Sequence, residues 1–219
     1  MPRVLLVRHA QSEWNASGRW QGWADPPLSE LGRAQARRAG ERLRRIAEPL
    51  TRAVSSDLDR ARTTARIVAG LAGSSELHGR EPQVEEVAGL RELDVGEWSG
   101  LTRAEITAEW PEALARWDAR EIDSAPGGET QDAFDRRVRS AMTRVLADHP
   151  GQQLLIVAHG GVVGSVGRWL GAGPASGLHV AGFWIEHDGD RPRITGSVDL
   201  LGGETPEGEA VPDDSAGAR

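Results

Sequence analysis

The stretch Leu154-Leu155-Ile156-Val157-Ala158-His159-Gly160-Gly161-Val162-Val163 decides how this chain is read. Its five leading apolar residues do not alternate with polar ones, so a strand formed there is covered on both faces, as in a parallel sheet clad in helices. The run stops at His159, turns through two glycines and resumes as an apolar pattern over 162–170 that reads as a helix. A histidine is thereby placed at a strand end, next to a helix start whose free backbone N–H groups suit an anion. Near the beginning, Arg3-Val4-Leu5-Leu6-Val7-Arg8-His9 has the same form: a short apolar run that ends in Arg and His. A third short strand over 53–55 leads through Ser56-Asp57-Leu58-Asp59 to Arg60 at a helix start. Ligands of such sheets bind at the carboxyl ends of the strands, so two His and two Arg are expected to converge there.

Outward from these strands, Ser29 reads as the N-cap of a helix with Leu31, Ala39, Leu43 and Ile46 inward, closed by Pro49. A second helix over 59–72 turns Ala61, Ala65, Val68 and Ala69 inward. Short extended pieces are expected near Val84 and over 90–93, then a helical stretch over 102–120 broken at Pro111. After Pro126-Gly127-Gly128, a long helix buries Phe134, Val138, Ala141, Met142, Val145 and Leu146, which recur at helical spacing. Residues 180–187 and 194–200 read as a hairpin turning at Asp188-Gly189-Asp190. The expected fold is α/β: a single three-layer α/β/α domain over 1–200 with a mostly parallel central sheet, followed by an acidic, disordered tail over 201–219.

Composition narrows the chemistry. The 219 residues include no Cys and no Tyr, and all 26 basic residues are Arg. Thiol nucleophiles, Cys-held metals, Schiff-base lysines and the Lys of a Walker A loop are thereby excluded. The net charge is -7, and the last residues hold five acids against Arg219, so no basic footprint for nucleic acid is present. The run Arg37-Arg38 with Arg42, Arg44 and Arg45 reads as a solvated helix face. No apolar run is long enough for a signal peptide or a membrane span, and a cytoplasmic protein is expected. The glycines over 160–167 miss the G-x-G-x-x-G spacing, which argues against a dinucleotide site. His78, His149, His179 and His187 lack metal-like spacing and read as structural, with His179 near the mouth of the site.

The ordered blocks Leu6-Val7-Arg8-His9-Ala10-Gln11-Ser12-Glu13-Trp14-Asn15, Gly18-Arg19-Trp20-Gln21-Gly22-Trp23-Ala24-Asp25-Pro26-Pro27-Leu28-Ser29, Ser55-Ser56-Asp57-Leu58-Asp59-Arg60-Ala61-Arg62-Thr63-Thr64-Ala65, Leu90-Arg91-Glu92-Leu93-Asp94-Val95-Gly96-Glu97-Trp98-Ser99-Gly100, Pro126-Gly127-Gly128-Glu129 and Val157-Ala158-His159-Gly160-Gly161 carry a resemblance. Together they resemble the histidine phosphatase superfamily, the phosphoglycerate mutase-like enzymes that work through a phosphorylated histidine. The resemblance implies the phosphoglycerate mutase-like fold with a small helical cap inserted at about residues 96–128. It makes His9 the nucleophile, with Arg8, Arg60 and His159 on the phosphoryl oxygens, and Asn15 and the backbone at Gly160 adding hydrogen bonds. It makes Glu92 the proton donor to the leaving oxygen and then the base for water. Asp94 and Glu97 lie close by, and spacing alone does not choose among the three carboxylates. No metal or cofactor is implied, since the arginines and His159 supply the positive field. Ala10 departs from the family's best-known motif, which has Gly there, and puts a methyl beside the nucleophile.

The implied activity is metal-independent hydrolysis of a phosphate ester of a small molecule, a sugar phosphate or phosphoglycerate-type metabolite such as glucosyl-3-phosphoglycerate, by a monomer or homodimer. The 94–100 stretch resembles the phosphatase branch. A phosphoglycerate mutase is the rival within the family, and a non-catalytic phospho-ligand binder the rival outside it. Of the eight Trp, those at 14, 20, 23, 98, 110 and 117 fall in the first loop and the middle segment. They either pack the loops or form a stacking rim, for which Gln21, Gly22 and Trp23 are the candidates.

Overall fold

The structure, a computed structural model, describes residues 3–73, 83–173, 177–187 and 191–202. A six-stranded sheet is built from β1 (Arg3–Arg8), β2 (Arg52–Ser55), β3 (Val84–Glu86), β4 (Leu154–Ala158), β5 (Ala181–Glu186) and β6 (Arg193–Asp199), in the order β3-β2-β4-β1-β5-β6. The first four strands are parallel neighbours, and β5 and β6 add an antiparallel edge. Helices α1 (Glu13–Ala16), α2 (Glu30–Ile46), α3 (Asp59–Ala72), α4 (Arg103–Glu109), α5 (Pro111–Asp118), α6 (Gln131–Asp148) and α7 (Gly160–Trp169) complete the described elements.

Why β1 and β4 are apolar throughout is visible in the two cores they separate. Leu5, Val7, Leu155 and Val157 face α2 and α3, whereas Val4, Leu6, Leu154 and Ile156 face α4 to α7, giving three layers. All the inward positions expected of α3 and α6 are buried. Ser29 caps α2 by accepting from Gly32 N–H at 2.9 Å, and Pro111 opens α5, so the helical break expected there is real.

Three expectations change. On α2, Leu31 and Ile46 are exposed, and the inner face is Gly32, Gln35, Ala36, Ala39, Gly40 and Leu43. The packing partner selects that face: Gln35 accepts a hydrogen bond from Gln11 N–H, and Gly32 lies so close to the Gln11 carbonyl that a Cβ would overlap it. Residues 90–93 form no strand; a short 3-10 turn over Ala88–Leu90 leads into loop. Helix α7 begins at Gly160 rather than at Val162, with His159 itself as N-cap, so no separate turn intervenes. Of the two readings of the tryptophans, packing holds for Trp20, Trp98 and Trp117: their rings meet edge to face at 5.4, 5.6 and 6.4 Å, and Trp98 is fully buried. The expected hairpin turn at 188–190, His78 and nearly all of the acidic tail (203–219) lie outside the described residues.

Candidate active site

Parallel pairing of β1 with β4 sets Arg8 opposite Ala158, and His9 N–H then donates to the Ala158 carbonyl at 2.9 Å. That register brings the residues after both strands together, with the His9 and His159 rings 5.2 Å apart and T-shaped. The first turn of α3 delivers Arg60, which is 1% exposed although charged. Its guanidinium is held by the carbonyls of Ala24 at 2.7 Å and Gly22 at 2.9 Å. Thr64, one turn on, accepts from Ala10 N–H at 3.1 Å and donates to the Arg60 carbonyl at 2.7 Å, tying the nucleophile's segment to the Arg60 helix. Arg8 donates to the Gly177 carbonyl. The leucine before α3 offers no side-chain cap, and Asp25 supplies one from the first loop, accepting from Asp59 N–H at 2.6 Å.

The electrostatics decide the protonation of the two imidazoles. Burial, followed by the charges of Arg60 and its neighbours, holds both His9 and His159 well below the ordinary imidazole range. His9 Nδ1 lies 2.6 Å from the Ala10 carbonyl, which can only accept, so Nδ1 carries the proton and Nε2 the lone pair. A neutral imidazole with a free Nε2 is a nucleophile ready at neutral pH. Neither ring nitrogen of the buried His159 has a hydrogen-bond partner among the described residues. Such a group calls for a polar ligand, and a phosphoryl oxygen in this positive field meets the need.

Of the three acids in the 92–97 stretch, Glu92 is the one the fold turns into the site. Its carboxylate accepts from Leu93 N–H at 2.9 Å and from Gly161 N–H, in the first turn of α7, at 3.1 Å. Asp94 instead accepts from Gly96 N–H within its own turn, and Glu97 is exposed. Asn15 is buried with its carbonyl oxygen taken by Ser12 N–H at 3.1 Å in the α1 capping box. Gln21, expected on the rim, is buried and accepts from the Ser12 hydroxyl at 2.8 Å. Gly22 adopts φ +52, and a Cβ there would meet Val95 N at 2.9 Å, so glycine is needed to bring this carbonyl to Arg60. Gly160 is different: a Cβ there would touch Arg8 only at 3.7 Å. Trp23 is 41% exposed and donates to the Glu92 carbonyl at 2.9 Å, so it does stand at the rim. The Ala10 methyl packs into the core shared with α2 and α3.

Other residues join the site, of which only His179 was expected near its mouth. His179 lies 6.1 Å from the His9 ring, donates from Nδ1 to the His9 carbonyl at 3.2 Å, and is pushed down to about 3 by burial and then by Arg8. Arg137, which nothing in the sequence singles out, pairs with Glu129 and reaches the Glu92 carbonyl. Arg91 likewise grips Asp57 through two nitrogens, at 2.8 and 2.5 Å, and its hydrogen bonds hold the Asp57 carboxyl below the usual range. Glu129 and Thr64 sat within quoted motifs, but only the fold shows what they touch. The arginines expected on the outer face of α2 are exposed. Among the described residues no three His, Asp or Glu side chains are grouped to hold a metal ion, and no helix is long and apolar enough to cross a membrane.

A buried pair of imidazoles at parallel strand ends, braced by two arginines and a fixed carboxylate, is the arrangement of phosphoryl-transfer enzymes that use a histidine. The family comparison agrees: the model for the histidine phosphatase superfamily (branch 1) matches residues 4–195, and the chain belongs to that superfamily. It is 40% identical over 167 residues to a 2,3-bisphosphoglycerate-dependent phosphoglycerate mutase of Methylobacterium radiotolerans, covering 73% of this chain and 75% of that one. It is 34% identical over 202 residues to a glucosyl-3-phosphoglycerate phosphatase of Mycobacterium tuberculosis, covering 83% and 86%. Among solved structures it is similar to Bacillus stearothermophilus YhfR, with a TM-score of 0.78 at 30% identity over 92% of this chain and 100% of that one. The α/β fold is phosphoglycerate mutase-like.

Proposed function

We propose that this chain is a metal-independent phosphomonoesterase that passes a phosphoryl group from a small phosphorylated metabolite to His9 and then to water. The observation that carries the reading is the neutral His9, with Nε2 free, set among Arg8, Arg60 and His159 and facing a separately held carboxylate. In the first half-reaction His9 Nε2 attacks phosphorus, the ester P–O bond breaks, and the leaving oxygen takes the proton of Glu92. Charge spread over the equatorial oxygens is met by Arg8, Arg60 and His159, where fixed donors are worth most. In the second half-reaction ionised Glu92 takes a proton from water as its oxygen bonds to phosphorus, and the P–N bond breaks. Asn15 and the first turn of α7 at Gly160 add neutral hydrogen bonds. The arginine cradle supplies the positive charge that Mg²⁺ supplies elsewhere.

The name of the mycobacterial relative, together with an exposed indole beside Glu92, favours glucosyl-3-phosphoglycerate or a similar bulky ester as substrate. The mutase relative supports a second reading, in which phospho-His9 returns its phosphoryl group to a phosphoglycerate. Phosphate release in EDTA from 3-phosphoglycerate, glucosyl-3-phosphoglycerate and other esters, compared between the parent and His9→Ala, tests both. Release that vanishes in the variant supports the phosphatase. Interconversion of phosphoglycerates without release supports the mutase, and tight ester binding with neither outcome leaves a phospho-ligand binder.

A further inference from the structure

Arg137 lies on α6 and touches neither strand end, yet three of its five N–H donors converge on the segment that carries the acid and the other two on Glu129. Nε and Nη2 donate to the two oxygens of Glu129 at 3.0 and 2.6 Å. Nη1 donates to the carbonyls of Gly89 at 3.1 Å and Arg91 at 2.9 Å, and Nη2 also donates to the carbonyl of Glu92 at 3.1 Å. A guanidinium has five donors, so this one is fully used. Three of its bonds go to a stretch that is neither helix nor strand beyond Leu90, where they act beside the Arg91–Asp57 pair and the buried Leu90 and Leu93. Trp23 closes the arrangement: its indole N–H reaches the same Glu92 carbonyl, and its ring lies 5.8 Å from the Arg137 guanidinium.

We propose that Arg137, anchored by Glu129, is a positioning residue that fixes the peptide of Glu92 so that its carboxyl meets the leaving oxygen. The inference rests on the reading of Glu92 as proton donor. A planar fork suits this task and an ammonium does not, because one point charge cannot address three carbonyls and a carboxylate in one plane. Two bonds at the Glu92 carbonyl and two at its carboxylate leave the side chain little freedom between its ends.

The test compares kcat/KM, which reports through departure of the leaving group, for two substrates of the full-length chain. The leaving alkoxide of 3-phosphoglycerate needs a proton, whereas p-nitrophenyl phosphate releases a stabilised phenolate that does not. Arg137→Met is expected to lower kcat/KM on 3-phosphoglycerate by about 100-fold, the scale of general acid catalysis, and on p-nitrophenyl phosphate by less than about tenfold. Arg137→Lys, which keeps the charge and some donors, is expected to fall between parent and Met variant. Equal losses on both substrates, or none on either, overturn the proposal by reducing Arg137 to a scaffold. Glu92→Gln run alongside separates the two layers of inference. If it shows the same leaving-group dependence and Arg137→Met does not, only the clamp fails; if Glu92→Gln shows none, the assignment of the acid fails and the clamp with it.

Discussion

Acidifying the protein from pH 6.5 to 5.5 should cost it a large part of its stability, and the reason lies in three imidazoles. His9, His159 and His179 are buried among arginines and kept neutral, whereas an unfolded chain protonates each near pH 6.5. The unfolded state thus binds more protons below pH 6.5, so stability rises with pH across this window and is lost as pH falls. Each histidine contributes a loss of about 1 kcal/mol over that one unit, or about 3 kcal/mol for the three, against the 5–15 kcal/mol typical of a domain. Asp57, whose carboxyl is held below its usual value, contributes in the same direction only at more acid pH, below its unfolded value of 3.8. Urea unfolding followed by tryptophan fluorescence at pH 7.5, 6.5 and 5.5 measures the slope. His159→Gln should reduce that slope by about a third whatever it does to stability itself. Inorganic phosphate, an anion that suits this positive field, should raise the unfolding free energy at pH 7.5. A parent protein whose unfolding free energy changes by less than about 0.5 kcal/mol between pH 6.5 and 5.5 would refute the neutral cluster, since the linkage is unavoidable if the imidazoles are neutral.

Gly22→Ala places a methyl against Val95 N and puts a side chain in left-handed backbone, which costs about 1–2 kcal/mol and pushes the Gly22 carbonyl away from Arg60. Turnover should drop about tenfold or more along with thermal stability, and stability loss with unchanged turnover would show that Arg60 does not depend on this carbonyl. Trp98→Ala removes the central ring of the tryptophan cluster and should cost about 3–5 kcal/mol by chemical denaturation. Trp98→Phe should cost far less, because it keeps a ring and removes a buried indole N–H that has no partner among the described residues; equal losses would contradict that account.

Strands β1 and β4 were legible because burial on both faces writes itself as an unbroken apolar run, and the two histidines follow directly from where those runs stop. The inner face of α2 was legible only at Ala39 and Leu43; its ends were not, since the face is set by a backbone carbonyl at Gln11 and a polar contact from Gln35, neither of which shows in hydrophobic spacing. Glu92 separates from Asp94 and Glu97 only once α7 presents the Gly161 N–H to it from 69 residues away. Arg137 carries no local signal at all. Its partners lie up to 48 residues from it, and an arginine on an amphipathic helix reads as solvent-facing until those partners are in place. His179 was read near the mouth of the site, but its bond to the His9 carbonyl shows only in the fold.

The adjacency of β1 and β4 has a consequence in time as well as in space. Arg8 is made well before its partners, since its strand partner ends at Ala158 and its carbonyl contact at Gly177 is 169 residues away. Closing so distant a pairing delays the assembly of a sheet, and sheets dominated by such contacts fold slowly. During synthesis the His9 imidazole therefore emerges solvated, with an ordinary proton affinity, and that affinity falls only when the sheet closes and buries it beside Arg60. Reactivity arrives with the completed sheet.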